Sequence, residues 1–88
     1  MAQLRTATQA LSTSYGAIIS VETGWDSVSV TLDVNSISFT VEVAATNEES
    51  VPAGSSWVLD AGASVTEALA LRIKSASGTP TASVLWFR

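Results

Sequence analysis

Two neighbouring stretches of the chain alternate apolar and polar residues with a period of two. Val28, Val30, Leu32 and Val34 are interleaved with Ser27, Ser29, Thr31 and Asp33. After Asn35-Ser36, Ile37, Phe39, Val41 and Val43 are interleaved with Ser38, Thr40 and Glu42. That period predicts half-buried β-strands. If Asn35-Ser36 forms a two-residue turn, Val34 faces Ile37, Leu32 faces Phe39, Val30 faces Val41 and Val28 faces Val43. Residues directly opposite share a side of the sheet, so all eight apolar residues gather on one face, with Thr31, Thr40, Ser29 and Glu42 on the other. Asn-Ser lacks the glycine that such turns favour. An arrangement with the two runs in opposite sheets therefore stays open.

The remaining segments are shorter. Residues 1–11 predict an extended N-terminal arm or an edge strand, and Ala17–Val21 a short strand. Ser12–Gly16, Glu22–Asp26, Val51–Gly54, Ala61–Ser64 and Gly78–Pro80 are rich in Gly, Pro, Ser and Thr and predict turns, with Gly24 free to take positive φ. Ala44–Ser50 is polar and predicts a loop, while Ser56–Asp60 predicts a strand with Trp57 and Leu59 on one face. Residues 65–76 are ambiguous. Ser64 and Glu67 have capping-box spacing, whereas Leu69, Leu71 and Ile73 alternate with Ala70, Arg72 and Lys74. The β surroundings favour the strand. Ala82–Arg88 predicts a terminal strand with Val84 and Trp86 on one face and Leu85 and Phe87 on the other. Turns at this spacing predict one all-β domain over residues 1–88: a small antiparallel β-sandwich or jelly roll of seven to eight short strands.

Composition changes the picture mainly by exclusion. The chain has 88 residues, no Cys and no His, which removes thiol nucleophiles, disulfides, His-containing triads and the usual zinc ligands. Only 14% of residues are charged, against about 25% in an average domain. Ser and Thr supply 24 residues and Lys only one, Lys74, so the expected surface is polar without being strongly ionic. Copies of such a surface repel one another weakly, which suits a subunit of an assembly. The net charge of −4 and the scattered Arg5, Arg72, Lys74 and Arg88 argue against nucleic-acid binding. No apolar run reaches the roughly 20 residues of a membrane helix, and residues 1–16 do not have the pattern of a secretion signal.

Little remains for catalysis. The acids Glu22, Asp26, Asp33, Glu42, Glu48, Glu49, Asp60 and Glu67 form no distinctive motif, and so small a sandwich has little room for a cleft between two of them. No enzymatic activity and no cofactor are expected. Calcium is the one metal whose oxygen ligands are available, at Glu22 and Asp26 or at Asn47, Glu48 and Glu49, but the regular spacing of a calcium loop is missing. Among the aromatics, Tyr15 and Trp25 lie in turns and are candidate exposed contacts, with Trp25 alternatively capping one end of the sandwich. Phe39 and Trp57 sit on apolar strand faces and read as core. Trp86 and Phe87 point opposite ways on one strand, and a thin sandwich buries only one of those faces. The other is covered by a loop or the N-terminal arm, covered by a neighbouring subunit, or left in water. Leu4, Trp86 and Phe87 are therefore the candidate interface residues.

Ala10-Leu11-Ser12-Thr13-Ser14-Tyr15-Gly16-Ala17, then Gly24-Trp25-Asp26, Val51-Pro52-Ala53-Gly54, and Ser77-Gly78-Thr79-Pro80-Thr81 before an apolar end, together resemble the small β-sandwich virion proteins of tailed bacteriophages. These are capsid decoration, cement or fibre-type subunits. The resemblance spans most of the chain and is carried by turn chemistry. It implies a non-enzymatic virion protein made in the bacterial host cytoplasm and placed on the outer surface of the head. Its partners would be its own copies, as a homo-trimer, and the major capsid protein or another virion protein. A tail, fibre or head–tail joining role is the alternative within that class. A small carbohydrate-binding module using Trp25 and Tyr15 is the alternative from another class.

Overall fold

The computed structural model describes residues 4–21, 24–44, 47–60 and 69–87. These form eight antiparallel strands in two four-stranded sheets: β1 (Leu4–Ala10), β2 (Ile19–Val21), β3 (Ser27–Leu32), β4 (Phe39–Val43), β5 (Asn47–Val51), β6 (Trp57–Asp60), β7 (Leu69–Ser75) and β8 (Thr81–Phe87). One sheet runs β1-β8-β3-β6 and the other β2-β7-β4-β5. The pairs β1–β8, β2–β7, β3–β6 and β4–β5 are those of one long hairpin rolled over on itself. The added pairs β3–β8 and β4–β7 close each sheet. This is the winding of an eight-stranded jelly roll.

The hairpin expected at Asn35-Ser36 does not form. β3 pairs with β6 and β8, and β4 pairs with β5 and β7, so the two alternating runs lie in opposite sheets. Asp33 turns the chain away from β3. Its backbone N–H donates to the Thr81 carbonyl at 3.0 Å, and its Oδ1 accepts from the Thr81 N–H at 2.9 Å. The connection then crosses to the other sheet, where the Ala76 N–H donates to the Ser38 carbonyl. Burial still follows the alternation, because both runs turn their apolar sides to the space between the sheets. Val28, Val30, Phe39 and Val41 are fully or almost fully buried, while Val34, beyond the end of β3, is exposed. Val21, Leu71, Ile73, Val84, Trp57 and Trp86 complete the middle of the core.

The segment expected as a polar loop around 44–50 instead contains β5. Asn47, Glu48 and Glu49 belong to an edge strand whose first four residues are exposed, and an edge needs no apolar alternation to be held by its backbone ladder to β4. Ala44 turns the chain between β4 and β5 with φ 56, a left-handed conformation that costs a non-glycine residue some strain. The ambiguous region resolves as strand over residues 69–75. The turn at 61–64, the Ser64/Glu67 spacing, Glu22, Thr23 and Arg88 lie outside the described residues. Residues 4–10 form an edge strand. Positive φ is found at Gly24, Gly54 and Gly78, each within an expected turn.

Side chains close the two flanks of the sandwich. On one flank Trp57 of β6 donates from Nε1 to Glu49 Oε2 of β5 at 3.1 Å, tying the edge of one sheet to the edge of the other. On the opposite flank Gln9 of β1 donates from Nε2 to the Ala17 carbonyl at 3.0 Å, just before β2. The crossing between these strands also adds to β7. Ser12 O accepts from the Ser75 N–H and Oγ, and Gly16 N–H donates to Ile73 O.

Candidate functional site

The two sheets present outer faces of different chemistry. On the first sheet the register places Leu4, Phe87 and Ser27 in one row, Thr6, Leu85, Ser29 and Val58 in the next, and Thr8, Ser83 and Thr31 in a third. These residues alternate with the buried set Val28, Val30, Trp57, Val84 and Trp86, so they point away from the core. Leu4 is 64%, Val58 62% and Phe87 47% exposed. By register Asp60 stands at the end of the first row, and the described side chains of this face are hydroxyls and apolar groups.

The outer face of the second sheet carries the charges. Glu42 on β4 stands opposite Arg72 on β7 and opposite Glu48 on β5. Arg72 donates from Nε to Glu42 Oε1 at 2.7 Å and brings Nη2 to within 2.6 Å of the same oxygen. Glu42 is almost completely buried. Tyr15, arriving in the crossing from β1, lies over this face. The Arg72 guanidinium is 4.8 Å and the Lys74 ammonium 4.7 Å from the centre of its ring, a distance at which a cation is attracted by the ring face.

Loss of hydration at the Tyr15 hydroxyl raises its pKa above the ordinary phenol value of 10.0. The negative charges of Glu48 and Glu42 raise it further, and Arg72 opposes them. A raised folded value means that the native state holds its proton when the unfolded chain has released it. The contribution is therefore intact below about pH 10 and is lost as pH rises through the folded value. Tyr15→Phe should flatten the alkaline fall in stability while changing neutral-pH stability by less than about 1 kcal/mol. Unfolding followed against pH checks this, and since the chain has one Tyr, phenolate absorbance reports the group directly.

The candidate residues from the sequence separate accordingly. Leu4 and Phe87 are exposed register partners on β1 and β8. Trp86 is not on that surface. It shares the inward face of β8 with Ala82 and Val84, lies opposite Val28, and is 8% exposed. Trp25 is not an exposed contact either. At 2% exposure it belongs to the core cluster, at the end of the sandwich just before β3. Tyr15 is half-buried against Arg72 and Lys74 rather than standing free in solvent. Asn47, Glu48 and Glu49 do not converge as ligands, since Glu49 turns toward Trp57 and Glu48 lies in the outward row with Glu42. Among the described residues no group of three or more acidic side chains is placed to hold a metal ion.

Sequence reasoning missed two features. Val58 was legible, since placing Trp57 and Leu59 inward puts Val58 outward. The Glu42–Arg72 pair spans 30 residues and was not legible, because it depends on β4 lying beside β7. A cavity of about 190 Å³ lies at one end of the sandwich, lined by residues that include Leu32, Asn35, Ile37, Phe39 and Ser55. Its lining has no ionisable group, which leaves it without an acid, base or nucleophile pair.

Together the sheets and their two faces define a small all-β sandwich with one charged and one largely uncharged outer surface. Comparison with protein-family models and with curated proteins finds no match for the chain.

Proposed function

We propose that the chain is a non-enzymatic structural subunit of a tailed-phage virion, a capsid decoration protein that works as a homo-oligomer on the outside of the head shell. The observation that carries this reading is the outer face of the β1-β8-β3-β6 sheet. Leu4, Phe87, Leu85 and Val58 stand among Ser and Thr there, while most charged side chains of the described strands are kept on the other sheet. Such a face can be dehydrated against a protein surface without stranding charges. The resemblance in turn chemistry supports the virion setting, and the jelly-roll winding is one that viral shells use, among other proteins. The net charge of −4 suits an outer surface better than one facing DNA. The function is mechanical: area buried between subunits of the shell resists the pressure of packaged DNA.

Cosedimentation with purified phage heads and, separately, tails tests the reading. The chain should pellet with heads, and Phe87→Ser should weaken that binding about 10- to 100-fold, the range expected for losing one buried aromatic contact of about 1.5–3 kcal/mol. Binding to tails alone would move the subunit to the tail. Binding to neither, or a Phe87→Ser variant that pellets like the parent, would overturn the proposed surface.

A further inference from the structure

Among the described residues the sandwich has four edge strands, and they are not equivalent. β2 has three residues and β6 four. β5 has five, but Glu48 and Glu49 lie on it and Glu49 turns inward to Trp57. Short length and charge are the usual means by which an edge avoids pairing with another chain. β1 is the least protected of the four. It is seven residues long, every residue has a partner on β8, and among the described residues no strand lies on its other side. Its one charged residue is Arg5.

The sequence of β1, Leu-Arg-Thr-Ala-Thr-Gln-Ala, also fits itself in reverse. Antiparallel pairing about Ala7 sets Thr6 opposite the second copy's Thr8, Arg5 opposite its Gln9 and Leu4 opposite its Ala10. All seven residues pair, and outward residues meet outward residues, so the solvent face and the core face each continue across the junction. Pairing centred one position earlier or later still keeps the faces but leaves two residues of each strand unpaired. Centring on Arg5 would oppose two arginines. A shift by half that step would set outward side chains against inward ones.

We infer that β1 pairs with β1 of a second copy of this chain across a two-fold axis centred on Ala7, joining two four-stranded sheets into one of eight strands. This rests on the reading that the chain acts by associating, and adds the edge, the register and the symmetry. Leu4, Phe87, Leu85 and Val58 of each copy lie on the same side of the joined sheet, doubling the width of the uncharged face. Because the pairing is two-fold, it gives a dimer, not the trimer that the virion resemblance implies.

A charge-pattern experiment reads the register directly. Thr6 and Thr8 are exposed, so substitution there leaves the core intact. In Thr6→Lys with Thr8→Lys, lysines meet lysines at two positions of the junction, and the dimer dissociation constant should rise about tenfold or more. In Thr6→Lys with Thr8→Glu, each lysine meets the glutamate of the other copy, and dimerisation should be retained or tightened and should weaken with added salt. Analytical ultracentrifugation over a dilution series measures both, with circular dichroism reporting the fold. Hydrogen exchange of the β1 amides in the parent chain should slow as its concentration rises. A parent chain that stays monomeric at the highest concentration overturns the inference, as does a dimer or trimer that responds alike to both double variants. A monomer that still pellets with phage heads leaves the virion reading standing while this pairing falls. A dimer with the expected charge response that pellets with no virion part does the reverse.

Discussion

Leu71→Ala should lower the stability of the chain by roughly 2–5 kcal/mol, the range for removing a buried leucine whose site cannot collapse. Leu71 is fully buried at the middle of the β2-β7-β4-β5 sheet. Its strand is held on both sides, with Ile19 of β2 and Val43 of β4 as direct neighbours. Backbone ladders on both sides stop β7 from moving inward to fill the space. A chain of this length has a total stability of only about 4–13 kcal/mol, so the variant should lose a large part of it, with Tm falling by roughly 10–30 °C. Val58→Ala is the matched comparison. Val58 is also an aliphatic strand residue, but it is 62% exposed, and its truncation should stay within about 0.5 kcal/mol. Urea and thermal unfolding of the two variants measure the difference. A Leu71→Ala loss below about 1 kcal/mol, or equal losses for both, would contradict the division into inward and outward faces on which the fold description depends.

That division was legible in the sequence because side-chain alternation along a strand is local. Val28 and Val30, Phe39 and Val41, and Leu71 and Ile73 could each be assigned a face from neighbours two positions away. Which strand lies beside which is not a local property. The run 27–34 followed by 37–43 carries the same alternating signal whether it folds as a hairpin or crosses between sheets. In the folded chain the crossing is anchored at Thr81, 48 residues away, whose N–H donates to the Asp33 carboxylate and whose carbonyl accepts from the Asp33 N–H. β5 escaped notice for the opposite reason. An edge strand dominated by Glu and Asn has no alternation to detect, and only its pairing with β4 defines it.

The candidate surface divides along the same line. Phe87 and Leu4 were legible as unburied apolar residues, and their adjacency follows from the β1–β8 register. Trp25, readable as an exposed contact or as a cap on one end of the sandwich, and Trp86, on a strand apolar on both faces, have no local signal that settles their place, because their burial depends on how the sandwich closes at its end and on which face of β8 turns inward. Turn position in the sequence says nothing about whether a turn folds back over the core.

Arg72→Met should be the most damaging change outside the apolar core, costing about 2–3 kcal/mol. Removing one partner of a fully buried ion pair costs about 3–5 kcal/mol, and the value expected here is lower because the Arg72 side chain is 39% exposed. The two partners are unequal. Glu42 is almost completely buried and has Glu48 directly opposite on β5, a like-charge pairing that destabilises a sheet by itself. Arg72 offsets it with two nitrogens on Glu42 Oε1. Without Arg72, a buried carboxylate faces a second carboxylate with no guanidinium beside it. Without the Glu42 charge, Arg72 still reaches water and still lies over Tyr15. Glu42→Gln should therefore be milder, about 1 kcal/mol, and adding it to Arg72→Met should recover part of the loss, since the stranded charge is then gone. Chemical denaturation of the parent, both single variants and the double variant at neutral pH and low salt measures the cycle. If Glu42→Gln proves as costly as Arg72→Met, or the double variant is less stable than Arg72→Met alone, Arg72 is not compensating a buried charge, and the outer face of the second sheet is held by packing instead.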